Sequence, residues 1–170
     1  MNNILNIASS RILKGIATEE LDLYGAELKT EIQKKFSRSL FIREVDTGSC
    51  GACESEIISA GNPVYDIQRF GVDFVASPRH ADALLVTGPV SLNMATALKR
   101  TYEAMPSPKF VITAGDCALD GGPFKGSYYV EGGAGRIIPV DLHIPGCPPK
   151  PLDLMLAILS AVKNLNNKKA

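Results

Sequence analysis

The chain has 170 residues, 45% of them apolar, with 18 basic residues balanced by 18 acidic ones. That length and apolar content fit one domain with a core of its own. Zero formal charge, 6% aromatic content and the absence of Trp argue against an electrostatic or base-stacking surface, so no nucleic-acid partner is expected. No apolar run reaches the roughly 20 residues that cross a bilayer. The opening MNNILNIASSRILKGIATEE does not show a signal peptide's order of basic, apolar and small residues. A cytoplasmic location is therefore expected, where four cysteines are metal ligands or catalytic groups more often than disulfides.

Residues 1–38 read as a separate N-terminal arm. Ile12, Ile16, Leu21, Leu23, Leu28 and Ile32 are interrupted by charges, and Gly15 and Gly25 interrupt them further. That pattern predicts short amphipathic helices, packed on their own domain or serving as a docking arm. Residues 39–170 form the main domain, and here the pattern changes. SLFIREV (39–45), VDFVAS (72–77), ALLVTG (83–88), KFVITAG (109–115) and RIIPVDLHI (136–144) read as strands. CESEIISA (53–60), SLNMATALKRTYEAM (91–105) and PLDLMLAILSAV (151–162) read as helices. Ser91 is placed to cap the second, Pro106 marks its end, and Pro151 suits the first turn of the third. Continuous apolar strands alternating with helices predict a layered α/β fold with a mainly parallel sheet covered on both faces.

The cysteines follow the strands. Cys50 and Cys53 come after 39–45 through the turn Asp46-Thr47-Gly48-Ser49, Cys117 after 109–115, and Cys147 after 136–144. The spacing is C-x2-C, 63 residues, C, 29 residues, C. In a parallel sheet all four thiols gather at one end, the end where open α/β sheets place ligands. Such a set suits an iron–sulfur cluster. It also suits structural zinc, although zinc sites usually pair two short knuckles and only one C-x2-C is present. The plain alternative is four buried cysteines. Gly48, Gly51, Gly115, Gly121, Gly122 and Gly146 would let backbone N–H groups approach an anionic cluster. Pro148 and Pro149 would stiffen the loop after Cys147.

DTGSCGACESEI, NPVYDIQRFGVDFVASPRHADALLVTGPV, GDCALDGGPF and PVDLHIPGCPPKP together resemble the small electron-transfer subunit shared by NiFe hydrogenases and respiratory complex I. The resemblance covers about 39–162 and points to the membrane-bound, energy-converting hydrogenases, including the formate hydrogenlyase type. It implies a flavodoxin-like three-layer domain with one 4Fe–4S cluster on Cys50, Cys53, Cys117 and Cys147. It also implies three kinds of partner: a NiFe-hydrogenase-like large subunit, a ferredoxin-like iron–sulfur subunit and membrane-embedded subunits. The chain would then sit peripherally on the cytoplasmic side of the membrane, inactive as an enzyme by itself. The alternative within the same family is the complex I version, which passes electrons to quinone. That version carries two adjacent cysteines where this chain has Cys50-Gly51-Ala52-Cys53.

Glu56 matches an acid that recurs in this family after the first cysteines, which implies a proton relay. Glu54 is expected to be a solvated acid at a helix start. Arg79, just after strand 72–77, would tune a nearby cluster by stabilising its reduced form. His80 and His143 read as structural. GGPFKG and EGGAG lack the strand–turn–helix setting of nucleotide loops, and no flavin is expected.

Overall fold

The computed structural model describes residues 16–164, and the side-chain surroundings from residue 21 onward. Five strands form one sheet: β1 (Leu40–Asp46), β2 (Val72–Phe74), β3 (Ala83–Thr87), β4 (Phe110–Ala114) and β5 (Leu142–Ile144). They pair in the order β2-β1-β3-β4-β5, every pair parallel. This is the flavodoxin-like order expected, with its reversal point between β1 and β3. Among the described residues five α-helices accompany the sheet: α1 (Ile16–Phe36), α2 (Ala52–Ala60), α3 (Leu92–Ala104), the short α4 (Asp116–Asp120) and α5 (Pro151–Asn164).

The strand side chains alternate between two cores. Ile42, Leu85 and Ile112 pack with Leu28 of α1, Ile57 of α2 and Ile158 of α5. Val45, Leu84, Val86 and Val111 pack on the other face with Leu98 of α3. β3 and β4 are buried along their whole lengths, which is why they read as unbroken apolar runs.

Three expectations need correction. Residues 16–36 form one 21-residue helix, not several short ones. Gly25 does not break it, because a Cβ there would lie 2.3 Å from Phe70 Cζ; the glycine lets that ring approach the helix. Leu21, Leu28 and Ile32 are at most 2% exposed, and Glu27 and Asp22 pair with Lys163 and Arg69. The segment thus packs on its own domain, while residues 1–15 of the arm lie outside the described residues. The run 136–144 is a strand only from Leu142, because Pro139 has no N–H for the ladder; Ala134–Arg136 is a 3₁₀ turn instead. Ser91 takes the helix-capping position of α3 without a side-chain capping bond. Its N–H instead donates to the carbonyl of Thr47, at 2.8 Å.

If α1 is integral to the fold, Leu28→Ala lowers the unfolding free energy by about 2–5 kcal/mol in chemical denaturation. Leu23→Ala, at a position 69% exposed on the same helix, changes it by less than ~0.5 kcal/mol.

Candidate functional site

One cleft at the carboxyl end of the sheet is lined by all four cysteines. Each wall follows a different strand: Ser49, Cys50 and Cys53 after β1, Gly88 after β3, Cys117 after β4, Cys147 after β5. The cleft therefore opens at the reversal point of the strand order, where this fold leaves a crevice. Among the described residues no group of three or more His, Cys, Asp or Glu is arranged for a single metal ion. The thiols surround a shared volume instead.

The loops are held by short bonds, not by bulk. Asp46 Oδ1 accepts hydrogen bonds from Gly48 N–H and Ser49 N–H, at 2.8 and 2.7 Å. Thr47 is fully buried, donates from its hydroxyl to the Thr87 carbonyl, and accepts from Val90 N–H at 3.1 Å. Asp116 joins the last two cysteine loops: its N–H donates to the Gly146 carbonyl, and its carboxylate accepts from Gly146 N–H, both at 2.9 Å. Gly51 has φ +85°, the left-handed turn that separates Cys50 from Cys53 at the start of α2. At Gly115 a Cβ would lie 2.6 Å from Cys53 Sγ, so only glycine leaves that thiol its place.

Burial pushes the Cys53 thiol up to about 12, with Glu54 and then the other three thiols adding to the effect. Burial, then Cys147 and Cys50, also raises Cys117. Four thiols gathered in one cleft walled by glycine backbone match the donor set of a four-thiolate cluster. Metal binding must displace their protons.

The profile described as "NADH ubiquinone oxidoreductase, 20 Kd subunit" matches residues 50–161, which take in all four cysteines. The chain belongs to that family. It is 42% identical to formate hydrogenlyase subunit 7 of Escherichia coli, over 84% of this chain but only 56% of that protein's length. It is 44% identical to the probable membrane-bound hydrogenase subunit mbhJ of Pyrococcus furiosus, over 79% of this chain and 81% of the relative. It is 36% identical to an NADH-quinone oxidoreductase subunit of Carboxydothermus hydrogenoformans, over 84% and 95%. Among solved structures it is similar to a chain of the membrane-bound sulfane sulfur reductase, an archaeal respiratory membrane complex. There the TM-score is 0.68 and the identity 32%, covering 83% of this chain and 77% of that one. Its family relatives are thus subunits of oxidoreductase complexes, hydrogenases and NADH-quinone oxidoreductases among them. No helix among the described residues is long and apolar enough to cross a membrane.

In this 20 Kd subunit family member one acid, Glu54, is placed differently from expectation. Glu54 is not a solvated helix-start acid. Both its carboxylate oxygens are closed to solvent and accept no hydrogen bond from the described residues. Glu56 is half-buried on α2 and does not line the thiol cleft. Arg79 is exposed, on a 3₁₀ turn (Pro78–His80) in a loop that leaves and rejoins the sheet at the level of Ile42. That level lies four residues before the carboxyl end of β1, and Arg79 is not among the residues of the cleft. His143 is half-buried with Nδ1 3.0 Å from Thr113 Oγ1, and burial holds its pKa down. Sequence reasoning missed the roles of Asp46, Thr47 and Asp116. The turn Asp46-Thr47-Gly48-Ser49 carries the Asx-turn signature that could have shown the first of these.

In the metal-free chain iodoacetamide should alkylate Cys53 more slowly than the exposed Cys50 and Cys147, with a rate still climbing toward pH 12. The same shift has a stability consequence. The unfolded thiol loses its proton near its ordinary value of 9.0, before the folded one at about 12, so the metal-free fold loses stability as pH rises through that window.

Proposed function

We propose that this chain carries one 4Fe–4S cluster on Cys50, Cys53, Cys117 and Cys147 and works as the electron-transfer subunit of a membrane-bound NiFe hydrogenase complex. The observation that carries the reading is the convergence of four thiols, from three strand ends, on one cleft. Bound there, the cluster would supply a site that accepts and returns single electrons. The chain's own part is to hold it still. Asp46, Thr47 and Asp116 fix the three cysteine loops, and glycines let their backbone N–H groups stand close to the sulfurs. Little then has to move when charge arrives. The cysteines stand at the rim of the domain, with Cys50 and Cys147 exposed, so a partner's redox centre can come near. We take that partner to be a NiFe-hydrogenase-like large subunit, with a ferredoxin-like iron–sulfur subunit and membrane-embedded subunits completing the complex on the cytoplasmic side.

A quinone-reducing complex of the NADH-quinone oxidoreductase kind is the second reading, favoured by the identity to subunits of that enzyme. The spacing Cys50-Gly51-Ala52-Cys53 supports the hydrogenase. Two residues let both thiols face inward, whereas adjacent cysteines would strain the backbone. Glu56 remains the proposed proton relay of the loaded complex, to be tested by a changed pH dependence in Glu56→Gln. The placement of Arg79 gives its proposed tuning role no geometric support.

Anaerobically prepared complex should contain about four iron and four sulfide per copy of this chain, lost in Cys117→Ser and Cys147→Ser. It should also contain nickel and evolve hydrogen from a low-potential donor. Stoichiometric zinc without iron would contradict the cluster. Iron without nickel, together with quinone reduction, would move the chain to the second reading.

A further inference from the structure

A second hollow, of about 300 Å³, lies apart from the thiol cleft and is lined by Glu44, Glu54, Ile57, Ile58, Ile67 and Phe74 among others. Its composition is unusual for a free surface. Ile58 is 76% exposed and Phe74 36% exposed. Between these apolar groups stand two carboxylates and the neutral Gln68, with no base among the lining residues. Among the described residues Glu44 accepts a single side-chain hydrogen bond, from Thr87 Oγ1 at 3.3 Å. Burial, then the neighbouring Glu54, raise its pKa, against lesser lowering by the Thr87 hydrogen bond and then by Arg43. Both oxygens of Glu54 lack any partner among the described residues and are closed to water.

An acid in that setting is unsatisfied in either protonation state. Ionised, it lacks a counter-charge; protonated, it still lacks partners for its O–H and carbonyl. The missing group is a donor, and a positive one answers two adjacent carboxylates at once. Exposed Ile and Phe beside a buried unpaired charge are the composition of an interface core with its partner removed.

We propose that this hollow receives a segment of a neighbouring protein subunit, which inserts one Arg or Lys side chain between Glu44 and Glu54 and covers Ile58 and Phe74 with apolar residues. The Glu54 carboxylate turns toward the entering base as it does so. The proposal rests on the reading that the chain works inside a larger complex, and adds the place and chemistry of one contact.

The test uses the intact complex isolated from native membranes, with p-benzoylphenylalanine in place of Ile58 and mass spectrometry of the photo-cross-linked peptides. The position is exposed enough for the fold to tolerate the change, and iron content with circular dichroism checks this. The expected product joins residue 58 to another polypeptide, within a segment bearing Arg or Lys. Its yield falls several-fold in the Glu44→Gln, Glu54→Gln background. A cross-link to a second copy of this chain, to a segment without a base, or no cross-link at all overturns the proposal, as does a yield indifferent to the two substitutions. Iron content and hydrogen evolution of the same preparation separate this failure from failure of the functional reading: an active, iron-loaded complex without the cross-link rejects only the docking site.

Discussion

Four thiols can meet in this chain only because every strand of its sheet points the same way. Each cysteine follows a strand, and a parallel sheet delivers all those strand ends to one edge. Reversal of β1, β4 or β5 would carry its cysteines to the far side of the domain. The helices that enforce parallel connection bury the sheet on both faces, so the two cores of Leu85 and of Leu84 are conditions of the site as much as of the fold. The thiols themselves resist the gathering. Burial and mutual proximity raise the pKa values of Cys53 and Cys117, and a bound cationic centre would reverse that penalty. The loops therefore have to be positioned by other means, which is what Asp46, Thr47 and Asp116 supply.

Much of this was legible in the sequence. The runs at β3 and β4 announce themselves, since strands buried on both faces have no polar alternation to confuse. The cysteine positions relative to strand ends were enough to predict their convergence. Elsewhere local pattern lost to tertiary contact. Gly25 looks like a helix breaker in one dimension, and only the position of Phe70 shows why a glycine stands there. The run at 136–144 has β-rich composition, but Pro139 removes a ladder donor and the strand shrinks to three residues. Glu54 and Glu56 are indistinguishable as letters two residues apart. Only Glu54 lines the hollow shared with Glu44 and Phe74, with its carboxylate closed to solvent, which no periodicity encodes. Asp116 bonds Gly146, 30 positions away, a pairing visible only once β4 and β5 lie side by side.

Family membership and mechanism rest on different ground. The family follows from the match across residues 50–161, and its members include both hydrogenase and quinone-reductase subunits. The choice between those branches turns on one loop, in which Gly51 in a left-handed turn separates two cysteines that face the cleft together. That loop is pinned to β3 through Thr47 and Thr87. Its form is therefore a property of the sheet's reversal point, not a free surface detail.

The central claim is a single cluster held by all four cysteines. Low-temperature electron paramagnetic resonance of the chemically reduced complex tests it most directly, read as the difference between wild type and Cys147→Ser. The account predicts a reduced-cluster signal of about one spin per copy of this chain that the substitution removes. A difference spectrum with no such signal, from an otherwise intact and reduced complex, would contradict it.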